Sequence, residues 1–84
     1  MKAPDDVVID VIRARWRAMA GDVVADHTQP ERLEHGVLFV AVKNHVWLQE
    51  LRRGMGRQIQ EKLARQTDLP VRVIRWQLAA ESYT

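Results

Sequence analysis

The chain has no cysteine among its 84 residues, which excludes a disulfide framework, a thiolate metal site and a cysteine nucleophile. Hydroxyl nucleophiles are scarce too, since Ser82 is the one serine. No nucleophile, base and orienting group can be assembled from such a set, so no catalytic residue and no enzymatic activity is expected. His27, His35 and His45 match no usual metal-ligand spacing, and neither metal nor cofactor is expected. The longest apolar run, Val37–Val42, falls far short of the ~20 residues that a membrane span requires. The first residues carry charge at Lys2, Asp5 and Asp6 without a signal-peptide pattern, and the expected location is cytoplasmic, with no membrane partner.

What is present is the composition of an ordinary globular protein, 46% apolar and 29% charged. Its length fits one domain over residues 1–84 with a thin core. The net charge of +2 hides an uneven distribution, because residues 43–75 hold eight Lys/Arg against three acids, whereas residues 1–42 are slightly acidic. A basic face on a nearly neutral protein suits a polyanion, since phosphate contacts supply most non-specific nucleic-acid affinity. A solvated helix surface, with arginine stems covering apolar area, is the structural alternative.

Hydrophobic periodicity orders the elements. Asp5 and Asp6 favour a helix start, and Val8, Ile12, Trp16, Met19 and Val23 then recur at helical spacing, with Gly21 as a break or a weakened continuation. Pro30 places a turn at 27–30. Strands are expected at 31–34 and 37–43, joined at Glu34-His35-Gly36. From Asn44, expected to cap the helix, the period becomes helical through Leu48, Leu51, Met55, Ile59 and Leu63, with a bend at Gly54 and Gly56. A last strand is expected at 71–78 and a frayed tail at 79–84. The reading is an α+β domain ordered helix-strand-strand-helix-helix-strand, the type II K-homology-like arrangement, with a three-stranded sheet covered by helices on one face. Alternation in the last strand puts Val71, Val73 and Arg75 on one side and Arg72, Ile74, Trp76 and Leu78 on the other, neither clearly polar.

Between His27 and Arg52 the order and spacing of several residues resemble the signature of the DciA family. These are His27, Thr28 and Pro30; Leu33 and Gly36; Leu38, Val40 and Val42; then Trp47 and Gln49-Glu50-Leu51. The resemblance covers nearly the whole chain. It implies a K-homology-like domain that lacks the RNA-clamping Gly-x-x-Gly loop, and here Gly54 and Gly56 are a poor copy of that loop. It also implies a nucleoid-associated, non-enzymatic module that binds the hexameric DnaB-type replicative DNA helicase and helps place it on DNA. Members of the family often carry a disordered extension; this chain has none and is expected to be an excised domain or a short relative.

On this reading Lys43, Arg52, Arg53, Arg57, Lys62 and Arg65 attract phosphates of single-stranded or forked DNA, weakly and with strong salt dependence. Trp16 reads as core, and Trp47 as core or surface anchor. Trp76, with polar neighbours Arg75 and Gln77, is the best candidate for partner contact. The alternatives are an RNA-binding K-homology module and a self-associating structural domain, a homodimer in which the last strand pairs across a two-fold axis.

Overall fold

The computed structural model describes residues 5–79. Helix α1, Asp5–Ala20, opens with the acidic pair and buries Val8, Ile9, Ile12, Trp16 and Met19. Gly21, at φ 90°, breaks the helix, and α2, Asp22–His27, starts with a new phase. That reset corrects one expectation: Val24 is buried and Val23 is 61% exposed.

Strand β1, Thr28–Glu34, begins directly after α2, so the turn expected at 27–30 is absent. Pro30 lies inside the strand, at a register shift between Pro30 and Arg32. A proline is tolerated there because β1 is an edge strand and the bulge needs no ladder donor at that point. Two positive-φ residues, His35 at 51° and Gly36 at 84°, make the tight hairpin turn into β2, Val37–Val42. The Arg72 side chain lies where a Cβ on Gly36 would stand.

Asn44 caps α3, His45–Glu50, as expected; its Oδ1 accepts from the Trp47 backbone N–H at 2.9 Å. A wide helical turn follows at Leu51–Met55, kinked at Gly54, and leads into α4, Gly56–Gln66. Met55 is only partly buried at the kink, whereas Leu48, Leu51, Ile59 and Leu63 keep the predicted stripe. Strand β3, Val73–Leu78, starts two residues later than expected. Apart from Ala79, the expected frayed tail lies outside the described residues.

The sheet order is β1-β2-β3, with β1 and β2 antiparallel and β2 and β3 parallel. This is the expected α+β, type II K-homology-like arrangement. Cross-strand rows separate the two faces. Leu33, Leu38 and Ile74 form one row under the helices, and Pro30, Val40 and Trp76 the next. On the opposite, open face stand the rows Glu34, Val37, Val73; Arg32, Phe39, Arg75; and Gln29, Ala41, Gln77.

Two tryptophans join the layers. Trp16 and Trp76 pack with ring centroids 6.2 Å apart. The Trp16 indole N–H donates to Thr28 Oγ1 at 2.8 Å, and that hydroxyl donates onward to Val24 O at 2.7 Å. The buried hydroxyl is therefore satisfied as both donor and acceptor. Gly56 sits so close to Trp76 Nε1 and the Leu51 carbonyl that a Cβ there would collide with both. Gly56→Ala is expected to cost about 1–3 kcal/mol through forced displacement of helix or ring; a urea melt followed by tryptophan fluorescence measures it, and an unchanged midpoint contradicts the packing constraint.

Candidate nucleic-acid interface

Both edges of the sheet are covered by side chains from the helices. On β1, Arg13 donates to the carbonyls of Pro30 (3.0 Å) and Glu31 (2.7 Å). On β3, Arg52 Nη2 donates to Trp76 O at 3.1 Å, and Gln60 Oε1 accepts from the Ile74 N–H at 2.9 Å. The α4 start therefore lies along β3 and leaves a groove beside the strand. Arg52, Gly56, Arg57 and Gln60 line one wall, and Val73, Arg75 and Gln77 belong to the other. The lining holds three guanidinium groups and no carboxylate; at its Gln77 end, Gln77 Nε2 donates to Glu31 Oε1 at 3.4 Å.

The six cations singled out from the sequence do not gather on one face. Arg52 and Arg57 reach the groove. Arg53 points away from it, 78% exposed, with Glu50 at 3.8 Å. Lys62 donates to the Ala18 carbonyl at 3.4 Å, at the end of α1. Arg65 pairs with Glu61 at 3.5 Å and shares a shallow depression with Arg15. Lys43 is exposed just after β2, where its backbone N–H donates to His27 O. Helical periodicity alone did not resolve this, because the kink at Gly54 changes the phase between Arg53 and Arg57.

Arg75, which is not among the six cations expected from the sequence, completes the groove. Strand alternation opposite the buried Ile74 and Trp76 marks it as outward-facing; what the sequence does not show is which helix lies alongside.

Trp76 requires a correction. It is buried, 9% exposed, between Trp16 and Gly56, because its side of β3 faces the helices. As placed, it cannot anchor a partner. Trp47 is half-buried and stacks on His27, with ring centroids 4.8 Å apart and planes at 19°. Val46, 70% exposed, adjoins it in the chain, and Val23 lies one helical turn before His27 on α2. Val46 and Val23 are thus exposed apolar side chains on the two elements that carry the stacked pair.

Among the described residues, no group of three or more His, Asp or Glu is placed to hold a metal ion. No helix among them is long and apolar enough to cross a membrane.

Residues 8–76 match the profile of the family described as "Dna[CI] antecedent, DciA". A curated relative, a UPF0232 protein of Mycolicibacterium smegmatis (strain ATCC 700084 / mc(2)155), is 47% identical over 38 residues, which cover 45% of this chain and 20% of the relative. The match thus spans about a fifth of that relative's length. No solved structure matches.

The α2 side of the stacked pair is tied to α1 by Arg17, which reaches Asp26 Oδ1 at 2.8 Å and Asp22 Oδ1 at 3.3 Å. The hydrogen bond from Arg17, followed by its positive charge, holds the Asp26 carboxyl below its ordinary 3.8. Because the folded value is depressed, the stabilising contribution is present above the unfolded value and is lost as the pH falls through the folded one. Arg17→Gln is expected to return the Asp26 titration, followed by carboxyl NMR, toward the ordinary range. An unmoved titration contradicts the pairing.

Proposed function

The chain belongs to the DciA family, and on that footing we propose that it is a non-enzymatic DNA- and protein-binding module of DNA replication, which associates with the replicative helicase and assists its loading on DNA. One observation carries the DNA half of this reading: Arg52, Arg57 and Arg75 border one groove whose lining holds no carboxylate. Guanidinium groups suit phosphate oxygens through paired, charge-assisted hydrogen bonds. Lys43, Arg53, Lys62 and Arg65 are spread over other surfaces and add to the long-range field instead of forming the contact. Exposed pairs such as Arg53–Glu50 and Arg65–Glu61 reduce that field only slightly.

The glycines support DNA contact over clamping of an RNA segment. Gly56 is used in packing against Trp76, and Gly54 marks the kink. Neither belongs to a loop of the kind that presents backbone amides to phosphates. Self-association through β3 has to displace the Arg52 and Gln60 contacts on its free edge. For the helicase, the reading shifts the anchor from Trp76 to Trp47, with Val46 and Val23 extending the surface. Half-exposed tryptophans are favoured as interface anchors.

Two measurements test the two halves. Replacing Arg57 and Arg75 by Gln is expected to weaken DNA binding and to lower the slope of log K against log salt by about 1.4 for single strands and about 1.8 for duplex. An unchanged slope removes the groove from the interface. Trp47→Ala, with Val46→Asp as a variant at an exposed position, is expected to weaken capture of the purified replicative helicase about tenfold or more. Retention of full binding by both variants moves the docking surface elsewhere.

A further inference from the structure

The face of the sheet opposite the helices carries one aromatic ring at its centre. Phe39, half-buried on the middle strand, has the Arg32 guanidinium 3.9 Å above its centroid. Arg32 is steadied by Glu34, with Nε 2.8 Å from Oε1. Directly across from Phe39 in the parallel register stands Arg75, which has no ion-pair partner among the described residues. In the next row Ala41 is buried, and Gln77 Nε2 donates to Glu31 Oε1 at 3.4 Å.

We propose that this face holds an unpaired nucleobase of a single strand, with Phe39 as its stacking platform and Arg75 guiding the phosphate backbone there from the groove. The inference rests on the groove reading above and extends it to a second site. Three observations support it. A guanidinium already occupies the space over the ring, and it is a flat group of the same stacking character as a base. Val73, Arg75 and Gln77 line the groove and also stand in the rows of the open face, so the two surfaces are continuous around β3. Phe39 is one strand spacing, about 4.8 Å, from β3, within reach of the next nucleotide of a strand held at Arg75. The two acids of this face are engaged, Glu34 by Arg32 Nε at 2.8 Å and Glu31 by Gln77 Nε2 at 3.4 Å, while Arg75 carries no ion pair among the described residues. On binding, the base takes the position over Phe39, and Arg32 moves to its outer side, where base stacking on arginine is also favourable.

The occupant differs from duplex DNA in one testable respect: paired bases are not available to stack on a side chain. Labelled oligothymidylate, oligouridylate and a hairpin duplex are titrated by fluorescence anisotropy against the whole chain and its Phe39→Leu and Phe39→Trp variants. Phe39→Leu is expected to weaken single-strand binding about tenfold, with duplex affinity and salt slope unchanged, and Phe39→Trp is expected to preserve or tighten it. Loss with either oligonucleotide supports the site and shows which sugar the path accepts. An abasic strand provides a test that needs no variant: the unmodified protein is expected to bind it about tenfold more weakly than oligothymidylate.

Equal affinity for abasic and normal strands overturns the proposal, as does a Phe39→Leu protein that binds single strands as well as the parent. Parallel loss of single-strand and duplex binding in Phe39→Leu also overturns it. If the Arg57 and Arg75 replacements still lower the salt slope in that case, the groove reading stands and only the base site falls. A chain that binds neither single strands nor duplex overturns both.

Discussion

The close approach of Gly56 to Trp76 sets the geometry on which the other features depend. It brings the start of α4 onto β3, with the preceding turn kinked at Gly54. It also seats Trp76 against Trp16, joining the crossover to α1. Trp16 in turn reaches Thr28, where α2 ends and β1 begins. A contact that requires the absence of one side chain thus links both outer elements of the sheet to its helical layer. The groove is a consequence: with α4 held at that distance, Arg52 and Gln60 reach the β3 edge, and Arg57 and Arg75 border the space between.

The residues that mark the family resemblance have mostly architectural work. Thr28 closes a buried hydrogen-bonded chain, Pro30 sits at the β1 bulge, Gly36 makes the hairpin turn, and His27 stacks on Trp47. That explains why the sequence pattern identifies the fold more directly than it identifies the contact surface. The basic groove and the open sheet face lie largely outside the pattern, at Arg57, Arg75 and Phe39, where side-chain chemistry rather than backbone geometry matters.

Much of the fold was legible because periodicity survives in the local sequence. The stripes of α1 and of the α3–α4 region, the Asn44 cap, the His35-Gly36 turn and the order of elements all follow from it. The misreadings occur where one residue changes the phase. Gly21 restarts the helix, so that Val24 replaces Val23 in the core. A bulge lets β1 run through Pro30 instead of beginning after it. The kink at Gly54 separates cations that a continuous helix would have gathered. Trp76 differs for another reason: alternation assigns its side of the strand, but which side meets the helices is a tertiary fact. Arg75 became recognisable as a groove residue only with α4 in place beside it.

Titration of the isotope-labelled chain with single-stranded DNA, followed by backbone amide NMR, tests most directly whether the β3 groove is the point of contact. The expected result is a set of shift changes centred on Arg57, Gln60 and the amides of residues 74–77. Changes centred instead on Lys62, Arg65 and the neighbouring Arg15 would contradict it and place the phosphate contact on the opposite side of α4.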